Sequence, residues 1–156
     1  DLHHEIELVV AIGAPGFRLA RDRAAGVIWG YGAALDMTRR DLQAKAKAKQ
    51  RPWDLSKDFE GAAVLSALAP AQDFQPLGQR IQLGVNGVTR QDAVISDMVW
   101  SIDELIADLS HYYHLAPGDL ILTGTPAGVG PVVTGDRLSG GIEGLAPVEL
   151  RIGPAE

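Results

Sequence analysis

The sequence predicts a mostly β (α+β) domain, a mixed sandwich or roll of short strands with a few short helices. Three observations lead there. Several short apolar runs, Glu5–Ile12, Ile28–Asp36 and Asp119–Thr123 among them, are bounded by glycine or proline turns. The alternation Ile81-x-Leu83-x-Val85 runs into Asn86-Gly87, the strongest short hairpin signal, and a return strand follows to Val94. Helix signals are confined to three short stretches.

Taken in order, the Glu5–Ile12 strand ends at the turn Gly13-Ala14-Pro15-Gly16, where glycine supplies positive φ and proline fixes the bend. A short helix is expected over Arg21–Val27. Ile28–Asp36 reads as a second buried strand whose small residues allow close backbone approach, and its Gly30-x-Gly32 is too incomplete for a dinucleotide fingerprint. Thr38–Lys49 is a helix by propensity, with Thr38 as its cap and Pro52 as its end. Arg51–Phe59 is expected to be an irregular loop pinned by Trp53 and Phe59, which makes Lys57 a placed charge. Ser101-Ile102-Asp103-Glu104 is a capping box opening a helix with Ile102, Leu105, Ile106 and Leu109 as its apolar stripe. The strand Asp119–Thr123 leads into Gly124-Thr125-Pro126-Ala127-Gly128-Val129-Gly130, which lacks the lysine of a P-loop. Strands near Arg137–Ile142 and Val148–Ile152 close the chain.

At 156 residues the chain reads as one domain, long enough to bury about 70% of its unfolded surface. Its 46% apolar and 22% charged residues are those of a globular protein. A net charge of −6 and a pI near 5.1 argue against nucleic acid as a partner. Arg39, Arg40, Lys45, Lys47, Lys49 and Arg51, interleaved with alanines, read mostly as a solvated helix face. With no cysteine there is no disulfide framework or thiolate site, which fits a reducing, cytoplasmic setting. No apolar run approaches the roughly 20 residues of a membrane span, so no membrane partner is expected. The chain starts at Asp1 without Met, and the expectation is of a domain over residues 1–156 whose upstream part is missing.

Glu5 and Glu7 carry the chemistry. Extended residues i and i+2 point the same way, so both acids converge while Ile6 and Val9 face elsewhere. Such a pair needs a cation, a proton or open water, and a divalent metal and a solvated strand face are the two readings. A hard ion needs further oxygen ligands, and Asp36 at the end of a small-residue strand is the natural third. Arg40 and Gln43, four and seven residues beyond Asp36, could share a helical face with it; the simpler alternative for Arg40 is an i, i+4 ion pair with Asp36. In the glycine loop, backbone N–H groups and the Thr125 hydroxyl can hold a small carboxylate.

Four motifs in register resemble the fumarylacetoacetate hydrolase superfamily: His3-His4-Glu5-Ile6-Glu7-Leu8, Leu35-Asp36-Met37-Thr38-x-Arg40-Asp41-x-Gln43, Pro52-Trp53-x-Leu55-x-Lys57-x-Phe59 and Leu122-Thr123-Gly124-Thr125-Pro126-x-Gly128-Val129-Gly130. The resemblance runs from Leu2 to about Gly153 and is greatest to the branch that cleaves acylpyruvates. It implies the fold of that superfamily and Mg²⁺ or Mn²⁺ on Glu5, Glu7 and Asp36. It also implies that Arg40, Gln43 and Lys57 surround substrate and oxyanion as catalytic groups, and that Thr125 holds the substrate carboxylate together with Arg40 and Lys57. His3 and His4 are expected to pack behind the ligands, and His111, Tyr112, Tyr113 and His114 to be helix-end or core residues. The implied activity is hydrolysis of a C–C bond in a β-diketo acid such as fumarylpyruvate, by a cytoplasmic homodimer. Oxaloacetate decarboxylation, keto–enol isomerisation and non-catalytic binding of a 2-oxo acid are the alternatives. The family's general base is a Glu–His pair upstream of the E-x-E strand that nothing in this chain matches. The expectation is that residues 1–156 alone bind metal and 2-oxo acid but turn over slowly.

Overall fold

The computed structural model describes residues 1–154. Twelve strands are defined: β1 (Leu2–His4), β2 (Ile6–Ile12), β3 (Ile28–Asp36), β4 (Thr38–Arg39), β5 (Ala63–Leu65), β6 (Ala69–Pro70), β7 (Arg80–Val85), β8 (Val88–Val94), β9 (Leu120–Leu122), β10 (Gly130–Pro131), β11 (Arg137–Ile142) and β12 (Val148–Arg151). Helices α1 (Arg40–Ala48), α2 (Asp54–Lys57) and α3 (Ile102–Tyr112) and a 3₁₀ helix over Arg21–Val27 complete the chain's main elements. The mostly β class with a few short helices is thus the observed one.

The strands form a five-stranded sheet ordered β5-β3-β2-β9 with β6 also on β3, a four-stranded sheet ordered β12-β11-β7-β8, and a small sheet ordered β10-β1-β4. All pairings among these strands are antiparallel. The two larger sheets enclose the core. Ile6, Leu8, Val10 and Ile12 of β2 and Tyr31, Ala33 and Leu35 of β3 cluster with Ile81, Leu83 and Val85 of β7, Leu138 and Ile142 of β11 and Val148 of β12. Period-two alternation explains the set, since even residues of β2 share the face turned to the second sheet. Val9 has the parity of Glu7 and lies outside that cluster, so it shares the acidic face rather than the face of Ile6.

Local chemistry accounts for the hairpin and caps. Asn86 and Gly87 both adopt positive φ, 52° and 78°, as a type I′ turn requires. Ser101 accepts from the Glu104 amide while Glu104 accepts from the Ser101 amide, completing the capping box. Gly30 is required by β6, because a Cβ there would stand 2.1 Å from the Ala69 carbonyl oxygen.

Two further expectations are corrected. Thr38 does not cap a helix: Thr38 and Arg39 pair with His3 and Leu2 as strand β4, so α1 starts only at Arg40. Tertiary pairing overrides local propensity there. Within Arg51–Phe59 a single helical turn, α2, replaces irregular loop, and only Phe59 packs on the core. Trp53 is 47% exposed and lies under the Lys47 ammonium, 4.4 Å from the ring centroid. Tyr112 ends α3 and Tyr113 is its C-cap, the helix-end position expected of them, both exposed, while His114 stacks on Phe17 at 3.9 Å.

Candidate active site

Glu5 and Glu7 flank Ile6 at the start of β2 and are both buried. On the neighbouring strand Ile6 pairs with Leu35 and Glu7 with Ala34, and the Asp36 amide donates to the Glu5 carbonyl at 2.8 Å. Residues opposite one another on adjacent strands share a face, so Asp36 lies beside Glu5, and Ala34 leaves space opposite Glu7. One carboxylate oxygen from each of Glu5, Glu7 and Asp36 lies within 4.8 Å of the others.

Two cations close over this cluster. Arg40, the first residue of α1, donates to Glu5 Oε1 through Nη2 and to Gln43 Oε1 through Nη1, the latter at 2.6 Å. Lys57, the last residue of α2, donates through Nζ to Glu5 Oε2 at 2.7 Å and to Asp36 Oδ2. The expected sharing of one helical face by Asp36, Arg40 and Gln43 is not observed. Asp36 ends a strand and β4 intervenes, so Arg40 reaches Glu5, and the i, i+4 pair with Asp36 does not form. Gln43 does follow Arg40 by one helical turn and fixes its plane.

The electrostatics divide the three acids. Burial pushes the Glu5 carboxyl up, but hydrogen bonds from Lys57 and Arg40 outweigh it and hold Glu5 below its ordinary value. Asp36 stays raised because burial outweighs its bond from Lys57. Glu7, whose one hydrogen bond among the described residues comes from the Gly124 amide at 2.7 Å, is pushed by burial to about 7. Burial lowers the Lys57 pKa, yet its bonds to Asp36 and Glu5 raise it overall, so it is a firm cation. Three carboxylates around two cations leave one acid uncompensated, and that acid is Glu7. An all-oxygen donor set with surplus negative charge fits a hard divalent ion.

Thr125 follows Gly124 in the loop after β9. Its hydroxyl donates to the Ile6 carbonyl at 2.9 Å and accepts from Gln91 Nε2 at 2.7 Å. Thr125 therefore borders the strand that carries Glu5 and Glu7, with its one hydroxyl proton already committed.

Residues 1–153 match the family described as fumarylacetoacetate (FAA) hydrolase C-terminal. The chain belongs to the fumarylacetoacetate hydrolase family. It is 54% identical over 156 residues to a fumarylpyruvate hydrolase of a Ralstonia species, covering all of this chain and 81% of that protein. Over 141 residues it is 43% identical to an oxaloacetate tautomerase of Escherichia coli (strain K12), covering 89% of this chain and 64% of the relative. The crystal structure of fumarylpyruvate hydrolase from Pseudomonas aeruginosa in complex with Mn²⁺ and pyruvate aligns with a TM-score of 0.96 at 41% identity, covering 99% of this chain and 66% of that one.

In this fumarylacetoacetate hydrolase family member the predicted residues Glu5, Glu7, Asp36, Arg40, Gln43 and Lys57 come together, and Thr125 stands at their edge. No local motif singles out Gln91, which is fully buried and bonded to His4, Ile6, Thr125 and Pro126. The available signal was a glutamine in a strand opposite an apolar one. His4 is buried with it, the packing role expected of that residue.

Proposed function

We propose that this chain is the catalytic domain of a divalent-metal-dependent hydrolase that cleaves a C–C bond in an acylpyruvate of the fumarylpyruvate type. The products are pyruvate and a carboxylic acid. The observation that carries this reading is the convergence of Glu5, Glu7 and Asp36 beside the fixed cations Arg40 and Lys57. The fumarylpyruvate hydrolases of Ralstonia and Pseudomonas aeruginosa, the latter in complex with Mn²⁺ and pyruvate, support it.

Glu5, Glu7 and Asp36 would hold Mg²⁺ or Mn²⁺, which when bound supplies Lewis-acid polarisation of the substrate oxygens. Lys57 has three N–H donors, two of them on Glu5 and Asp36, and keeps a third for substrate. Arg40, held flat by Gln43, keeps further guanidinium donors for a carboxylate or an oxyanion. Thr125 and its loop face the substrate carboxylate, with the hydroxyl acting once it yields its bond to Ile6. In the reaction, water adds to the acyl carbonyl and the resulting oxyanion is met by Lys57 and Arg40. The bond between that carbon and the methylene then breaks. Its electron pair stays with the pyruvate fragment, which takes a proton to form the methyl group, and the acyl carbon leaves as a carboxylic acid. Nothing in residues 1–156 matches the Glu–His pair that the family resemblance implies as the water-activating base.

A second reading, keto–enol isomerisation or decarboxylation of oxaloacetate, is favoured by relatives named oxaloacetate tautomerase at 43% and 40% identity. The Mn²⁺-loaded protein should be given fumarylpyruvate and oxaloacetate side by side. Expected is pyruvate from fumarylpyruvate with a specificity constant at least ~10²-fold above that for oxaloacetate. Enolisation of oxaloacetate without acylpyruvate cleavage establishes the second reading instead. Absence of both Mn²⁺ and oxalate binding in calorimetric titration overturns both readings in favour of a non-catalytic domain.

The same proposal includes a cytoplasmic homodimer acting in the catabolism of aromatic compounds. Among the described residues no helix is long and apolar enough to cross a membrane. Val99 and Trp100, 94% and 51% exposed, supply apolar surface for self-association. Sedimentation velocity at twice the 16.6 kDa chain mass is the expected result.

A further inference from the structure

We propose that Gln91 is a positioning residue that sets the pleat of the acid-bearing strand and the place of Thr125 through one closed ring of hydrogen bonds. The proposal rests on the functional reading above for Thr125 and the three acids. β9 pairs with β2 only over Val9–Ala11, and Thr123 serves the Leu8 carbonyl. Further along that edge the glycine loop turns away and leaves both backbone groups of Ile6, the residue between Glu5 and Glu7, without a strand partner. Gln91 replaces the strand. The Ile6 amide donates to Gln91 Oε1 at 3.0 Å, Gln91 Nε2 donates to the Thr125 hydroxyl at 2.7 Å, and that hydroxyl donates to the Ile6 carbonyl at 2.9 Å. Gln91 Nε2 also donates to the Pro126 carbonyl at 2.9 Å.

The amide orientation is unambiguous, because the Ile6 N–H can only donate and the Pro126 carbonyl can only accept. His4 Nδ1, 3.0 Å from Gln91 Oε1, is therefore the protonated ring nitrogen. One side chain thus fixes the backbone between two acids, the hydroxyl at the substrate edge and the tautomer of a buried histidine. Gln91 is 0% exposed, so water cannot stand in for it. The fold supports the loop again at Gly128, where a Cβ would meet the Arg90 carbonyl oxygen at 2.0 Å.

Two substitutions separate the arms. Gln91→Leu removes both. Gln91→Glu keeps the acceptor toward Ile6 and His4 but loses the donors toward Thr125 and Pro126. The readouts are Mn²⁺ affinity by electron paramagnetic resonance titration, oxalate affinity of the Mn²⁺-loaded protein, and the His4 tautomer by ¹⁵N–¹H correlation. In Gln91→Leu, Mn²⁺ and oxalate should each bind at least ~10-fold more weakly, and His4 should shift toward its Nε2–H form. In Gln91→Glu, His4 should keep its Nδ1 proton and Mn²⁺ affinity should stay within about 3-fold, while oxalate binding falls ~10-fold. If Gln91→Leu does not fold, Gln91→Glu decides alone. Retention of both affinities within about 2-fold in folded variants overturns the proposal, as does equal loss of both ligands in Gln91→Glu. Wild-type protein that binds neither ligand refutes the functional reading instead, and the His4 tautomer then tests the ring by itself.

Discussion

The two faces of β2 differ in what secures them. Ile6, Leu8, Val10 and Ile12 are held by area: each is buried among apolar neighbours from the second sheet, and nothing directional is required of them. Glu5 and Glu7, interleaved with them on the opposite face, are held by direction, through an ammonium, a guanidinium and one backbone N–H. The apolar face can tolerate a different hydrophobic shape at modest cost, whereas the acidic face loses its chemistry when any one donor or acceptor changes. A strand can therefore anchor a fold and present a site at once.

Substitutions on the two faces should separate stability from function. The largest effect is expected for Glu5→Ala, which removes the acid touched by both cations. Metal-dependent turnover should fall at least ~10³-fold in steady-state assays while circular dichroism stays native. Activity that persists would refute the metal assignment. Leu8→Ala on the other face should cost ~2–5 kcal/mol in urea denaturation and leave Mn²⁺ affinity of the folded protein unchanged.

A smaller effect concerns protons. The Glu7 pKa is raised by burial from 4.5 to about 7, so the folded metal-free protein binds more protons than the unfolded chain between those values. Its contribution is fully present below pH 4.5 and is lost as pH rises through about 7, a loss of about 3 kcal/mol in the metal-free protein. Urea midpoints measured in chelator should fall over this window, and Glu7→Gln or added Mn²⁺ should flatten the slope. Smallest is Ser101→Ala, far along the chain from either face, which removes the α3 cap and should cost about 1 kcal/mol with no change in metal affinity.

Parts of this site were legible at the level of period and motif. Two glutamates at i and i+2 must share a face of an extended strand, and the structure places them so. Arg40 and Gln43 at i and i+3 must neighbour one another once in a helix, and they are bonded. Propensity places the helix start at Thr38, but pairing with β1 draws those residues into strand, a long-range effect invisible to local propensity. Gln91 was hidden for a sharper reason. A two-residue turn at Asn86-Gly87 with ideal register pairs Leu83 with Arg90 and leaves Gln91 on the outer face. The β-bulge between Leu83 and Gly84 shifts the ladder by one, so that Leu83 pairs with Gln91 and the amide turns inward.

By itself, then, the sequence determined the longer strands β2, β3, β7, β8, β11 and β12, the hairpin turn, the capping box and the shared face of Glu5 and Glu7. Each of these follows from interactions within a few residues, where period and propensity act. Only the tertiary structure decided that Asp36 stands opposite Glu5, that Lys57 arrives from a separate helical turn to bridge them, and that Gln91 replaces a missing strand beside Ile6. Those are matters of register and packing between distant segments, where a shift of one residue exchanges the faces of a strand.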